Sequence, residues 1–179
     1  MAKRSVFCIA PNRATADRLL HDLKVAEFAS SAISVLFLDR KPAAAASGTA
    51  PRPAAAASST EIRGVVAWLE GIRTVSIPGV GPLIAAGPVA VGFGPATTGG
   101  IAGGLTDFDI PDTEAARYED RILQGEILIG VHSENPEACA RARDLFGAGG
   151  AEKMFTMMEV TTPRSSLYHS RATTRATVA

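Results

Sequence analysis

The residues of this chain that could do chemistry are few and widely spaced. Cys8, His21, His132, Cys139 and His169 are the candidate metal ligands. A metal site needs three or four such donors converging on one point, and no close-spaced cluster exists among them. Cys8 and His132 fall in two apolar runs expected to be adjacent strands. Two ligands are not a site, so the reading is a core cysteine and a strand-end histidine. Cys139 lies on the inner face of a helix, as a small buried hydrophobe would. Ser133 follows His132 directly, and a nucleophile needs a base beside it. Adjacent strand residues point to opposite faces, however, and Ser133 opens a turn. The carboxylate pairs Asp107/Asp109 and Glu119/Asp120 have the composition of acid/base groups. More simply, they solvate the end of an uncharged stretch and one face of a helix. Gly79, Gly81, Gly92 and Gly94 invite a phosphate-cradling reading, which requires a strand, a glycine turn and a helix with a GK[ST] or GxGxxG continuation. Neither continuation is present. The expectation is no catalytic, cofactor-binding or metal residue, and a non-enzymatic protein.

The elements that must position these residues follow from period and caps. Ser5–Ala10 is an apolar run of strand formers. Pro11 and Asn12 end it, and Asn12 can cap a helix whose buried stripe is Ala16, Leu19, Leu20 and Leu23. Ile33–Leu38 is a second strand. Ile62, Val65, Val66, Leu69 and Ile72 recur at helical spacing, with Trp68 at the boundary. Pro111 sits at a helix start, with Asp112 and Glu114 favourable in its first turn. Ala115, Tyr118 and Ile122 form that helix's stripe and Gly125 ends it. Ile127–Val131 is a third strand. Asn135 and Pro136 open a further helix with Ala138, Cys139, Ala142, Leu145 and Phe146 inward, terminated by Gly147, Gly149 and Gly150. Met154–Val160 is a fourth strand. Met154, Met157 and Met158 on it provide adaptable side chains suited to core and interface together.

Two split βαβ units predict an α/β (α+β), ferredoxin-like sandwich with strand order 4-1-3-2. The two most apolar strands, 5–10 and 127–131, belong inside that sheet. A doubly wound parallel fold would need more strands than the chain supplies. The domain is expected to span residues 1–160, with a flexible Ala/Pro linker at 41–60, a helical insertion at 62–124 and a disordered tail at 161–179.

Composition sharpens this picture. The 179 residues carry 18 basic and 18 acidic side chains. That balance excludes a surface built to hold a phosphate backbone, so no nucleic-acid partner is expected. Two cysteines suit a reducing compartment, and the apolar run near the start is too short for a secretory leader. The 17 glycines and 11 prolines are unevenly spread. Residues 74–106 lack Asp, Glu, Lys and Arg altogether, and they hold glycine-rich TTGGIAGG together with Pro78, Pro82, Pro88 and Pro95. Their length would reach across a bilayer, but the prolines oppose one straight helix. Two uses follow: packing against a second subunit, or contact with a membrane.

The blocks TVSIPGVGPLIAAGPVAVGFG, GGIAGGL and DIPDTEAARYEDRILQGEILIGVH, with the closing ENPEACARARDLFGAGGAEKMF, together closely resemble the general stress protein family, which includes heat-induced stress proteins. The resemblance covers roughly residues 3–159. It implies a small α/β domain interrupted by a glycine-rich, low-charge stretch, and a bacterial stress-associated role without mapped catalytic residues. Family members carry a charged, histidine-containing segment after the second strand, where this chain has its Ala/Pro/Ser linker. The expectation is a cytoplasmic structural or protein-interaction protein that self-associates through the hydrophobic insertion at 62–124. The alternatives are membrane anchoring through residues 74–106 and a small-molecule-binding regulatory domain.

Overall fold

Every residue from Val6 to Ala10 is buried, which a strand achieves only when both of its faces are covered. The computed structural model describes residues 4–39, 66–93, 99–108 and 110–158. It contains β1 (Arg4–Ala10), α1 (Arg13–Val25), β2 (Ile33–Leu38), β3 (Arg73–Ile77), β4 (Gly81–Ala86), α2 (Gly100–Thr106), α3 (Asp112–Gln124), β5 (Ile127–Ser133), α4 (Pro136–Ala148) and β6 (Glu152–Met158). The strands form one open sheet in the order β3-β4-β2-β5-β1-β6, with every pairing antiparallel. The architecture is mixed α/β. The four strands expected from sequence stand as β6-β1-β5-β2, the order 4-1-3-2.

Alternation along the strands makes two cores. Val6, Cys8, Val35, Phe37, Ile129 and Val131 face one way, onto Leu19, Leu20 and Leu23 of α1 and Cys139, Ala142 and Phe146 of α4. Phe7, Ile9, Leu36 and Leu128 face the other way, onto Ile101 and Leu105 of α2 and Ala115, Tyr118 and Ile122 of α3. Each buried Leu, Ile or Phe contributes about 1.5–3 kcal/mol, so covering the second face adds substantially to stability. Local signals start the helices as expected, while α4 runs through Gly147 to Ala148 and is capped at Gly149. Asn12 Oδ1 accepts from Thr15 N at 2.9 Å, and Asn135 Oδ1 accepts from Glu137 N at 2.9 Å. Gly125, at φ 100°, closes α3. Trp68 is a boundary residue, with Lys24 Nζ 5.5 Å from its ring centroid.

The insertion departs from the helical expectation. Residues 73–86 form a hairpin that pairs β4 onto β2 and adds two strands to the sheet. Gly79 and Gly81, at φ 82° and 110°, make its turn, in a region of backbone space that side chains disfavour. Leu83, Ala85, Val89, Ala90, Phe93, Ile101 and Leu105 of the uncharged stretch are buried against the chain's own sheet. No helix among the described residues is long and apolar enough to cross a membrane. Of the helix expected over 62–72, residues 62–65 lie outside the described residues; Val66 is helical and a turn follows. The linker expected at 41–60 and the tail expected at 161–179 also lie outside them.

Candidate functional site

Antiparallel register brings the polar residues of the second face together. Ser5 on β1 stands directly opposite His132 on β5, and Ser34 on β2 stands opposite Gly130. Side chains two apart on a strand share a face, so the imidazole reaches across Gly130 towards Ser34. Ser5 Oγ lies 2.8 Å from His132 Nδ1, and Ser34 Oγ lies 2.7 Å from Nε2. Both ring nitrogens therefore face a hydroxyl. In the neutral ring one nitrogen donates and the other accepts, and the serines can serve either tautomer by rotating their hydroxyls.

The insertion closes over this cluster through glycines. Gly87, at φ 74°, sits so close to β2 that an added Cβ would lie 1.9 Å from the Ile33 carbonyl oxygen. That approach delivers the following turn, Pro88–Val91, onto the sheet, and Val89 N donates to Ser34 Oγ at 3.0 Å. Gly130 leaves room for the Phe7 ring, which would be 2.7 Å from a Cβ there. Phe7 meets His132 edge-on at a centroid distance of 5.5 Å. Phe108 lies 6.4 Å from the imidazole, and its ring occupies the space a side chain at Gly92 would take.

A histidine within hydrogen-bond reach of a serine is the geometry of an activated nucleophile. Here, however, Ser34 is only 2 % exposed, and the nearest backbone donor is aimed at the hydroxyl itself rather than at a position a substrate oxygen would take. The cluster is arranged to tie β1, β5, β2 and the insertion together.

The other candidates are separated. Cys8 pairs with Ile129 and faces the first core, on the opposite side of the sheet from His132; the two cannot converge. Burial pushes the Cys8 thiol well above its ordinary range. Cys139 Sγ lies 3.7 Å from the Arg4 carbonyl oxygen and 3.9 Å from that of Ser133, and burial raises its pKa as well. His21 is exposed on α1, and His169 lies outside the described residues. Among the described residues no three His, Cys, Asp or Glu side chains gather as metal ligands. Ser133 is not the turn residue expected: it ends β5, paired with Arg4 of β1, and its Oγ accepts from Asn135 N at 3.1 Å.

Glu119 has a definite task. Its carboxylate accepts from Ile101 N at 3.0 Å and Ala102 N at 3.3 Å, capping the first turn of α2 from the neighbouring helix. A Cβ on Gly100 would lie 2.5 Å from Glu119 Oε1. The glycine-rich turn does hold an anion, and that anion is the chain's own carboxylate, favoured at a helix N-terminus. Asp107 and Asp120 are exposed, and Asp109 lies outside the described residues. Gly92 is a packing residue, and Gly94 also lies outside.

Ser5 and Ser34 are the site residues that sequence reasoning missed. The signal available was one serine in each of two otherwise apolar strands. Compared with protein-family models, curated proteins and solved structures, the chain matches none.

Proposed function

We propose that the protein is a non-enzymatic structural or protein-interaction protein that self-associates, in the stress-associated role implied by its resemblance to the general stress protein family. The observation that carries the non-enzymatic reading is the engagement of His132: each ring nitrogen faces a serine hydroxyl, and Ser34 also accepts a backbone amide from the insertion. Glu119 and Tyr118 are engaged in the same way, one capping α2 and the other donating to the Lys153 carbonyl at 3.1 Å.

Small-molecule regulation finds less support, because the sheet face it would use is covered by α2 and α3. The insertion directs most of its large apolar side chains inward and leaves Ile72, Val91 and Leu123 outward among those described.

Two measurements test the reading. A serine-directed phosphonate probe should leave Ser5 and Ser34 unlabelled in the native protein; stoichiometric labelling of either would establish a reactive nucleophile and reverse the conclusion. Light scattering after size exclusion should give a mass above the 18.5 kDa of one chain. A concentration-independent monomer would remove self-association.

A further inference from the structure

We propose that His132 and Ser34 form a proton-operated latch on the insertion: a second proton on the imidazole enters at Nε2 and releases the turn Pro88–Val91 from β2. The latch does not depend on self-association.

The ring tautomer decides where that proton enters. His132 and its two serines alone leave the first proton free to sit on either nitrogen, and the Val89 amide removes that freedom. Val89 N donates to Ser34 Oγ at 3.0 Å, and an amide nitrogen accepts nothing in return. Ser34 is 2 % exposed, so its hydroxyl hydrogen needs an acceptor inside the protein. Among the described residues its other hydrogen-bond partner is His132 Nε2, at 2.7 Å. Ser34 thus donates to Nε2. The ring proton sits on Nδ1, which donates to Ser5 Oγ at 2.8 Å. Ser5 is half-buried, and its own hydrogen has solvent to meet.

The imidazolium donates from both nitrogens. Ser34 Oγ then receives Nε2–H and Val89 N–H together, and its own hydrogen loses its acceptor in a buried position. The charge-assisted bond from the ring is the stronger of the two, so the Val89 amide is the partner that yields. Ser34 and His132 stand on paired strands, and the turn above them is the part that can move. Its base is held separately, Gly87 N donating to the Glu70 carbonyl at 2.9 Å. Val91 is 77 % exposed, which puts the outer side of the turn in water.

The side chains given above as touching the ring are those of Ser5, Phe7, Ser34 and Phe108, all uncharged. The turn 88–91 and α2 carry no ionisable residue. Arg4 alternates with Ser5 and belongs to the other face of the sheet. Glu119 of α3 is engaged by the α2 amides. Asp107 and Glu134 are exposed, and Asp109 follows Phe108 in the sequence. Carboxylates at these positions move the pH at which the ring is protonated. They leave unchanged the atom that receives the proton.

The test is nuclear magnetic resonance on the isotopically labelled full chain. In the neutral protein, long-range proton–nitrogen spectra should show His132 Nδ1 protonated and Nε2 bare. As pH falls through the ring's own midpoint, wherever it lies, the Val89 amide shift should follow the same curve. Its protection against exchange, corrected for the intrinsic pH dependence, should drop about tenfold. Ser5→Ala should keep this coupling and His132→Gln should abolish it. A neutral ring protonated on Nε2 would overturn the proposal. So would a Val89 amide indifferent to the His132 midpoint, a response that persists in His132→Gln, or an imidazole that stays neutral until the whole sheet unfolds. The wild-type titration decides the matter even if His132→Gln fails to fold.

Discussion

Ser34 Oγ lies 2.7 Å from His132 Nε2, and this contact joins two strands 98 positions apart in sequence under a turn of the insertion. Ser34 is the buried polar side chain of the described interior, and it receives the Val89 amide as well. Replacing it with alanine leaves a buried amide without its acceptor. Ser34→Ala should therefore cost about 1–3 kcal/mol, seen as a melting point lower by roughly 2–4 °C per kcal/mol. Ser5→Ala removes a half-buried hydroxyl with no such amide and should cost less. Equal losses would show that the Val89 contact contributes nothing.

The Glu119 cap predicts a local effect. Glu119→Ala removes the acceptor of two amides and the favourable charge at the start of α2, at a cost of about 1–2 kcal/mol. Hydrogen exchange should quicken first at Ile101 and Ala102. Uniform quickening over the whole sheet would argue that the carboxylate supports the fold in another way.

Two glycines with the same backbone hand should behave differently. Gly79 and Gly87 both have positive φ, but nothing lies within 4 Å of a Cβ at Gly79, whereas one at Gly87 would strike the Ile33 carbonyl. Gly79→Ala should cost about 1–2 kcal/mol from backbone strain alone. Gly87→Ala should cost more than that, because backbone must move to admit it. Urea midpoints compare the two, and similar values would mean that the turn at residue 87 has room to shift.

Alkaline pH should destabilise the fold. Burial raises the Cys8 thiol above its ordinary 9.0 and the Tyr118 hydroxyl above its ordinary 10.0. Both groups keep their protons in the folded protein at pH values where the unfolded chain loses them. Their contribution is fully present below the unfolded values and falls as pH rises beyond them, at about 1.4 kcal/mol per pH unit for each group. Unfolding free energy should thus decline from near pH 9, and Cys8→Ala should flatten the first part of the decline. A profile unchanged in that variant would assign the loss to other groups.

Much of the fold was legible because its signals are local. The strand at 33–38 and the helices after Asn12 and Asn135 follow from runs of period and from caps within a few residues. The all-helical insertion fails at residues 73–86, although the hairpin signal is present there: a strand-forming TVSI, a Pro-Gly turn, and an apolar LIAA. Residues that would suit a buried helix by apolarity alone instead add to an existing sheet, because β2 offers β4 a free neighbour. The cluster was less legible. His132 was a visible candidate, but its hydroxyl partners lie 127 and 98 positions away.

The amino-acid order by itself determined the helices after Asn12, Pro111 and Asn135, and that the first, second, third and last strands share one sheet in the order 4-1-3-2. Period, capping and short-range sterics set those properties. Tertiary structure decided the rest: the hairpin at the sheet edge, the covering of the second face, and the register that sets Ser5 opposite His132. Pairing register is chosen by burying two faces at once, and a slip of one residue would turn every side chain of β1 to the wrong core. The same choice places Cys8 and His132 on opposite sides of the sheet, and leaves the serines to meet the histidine.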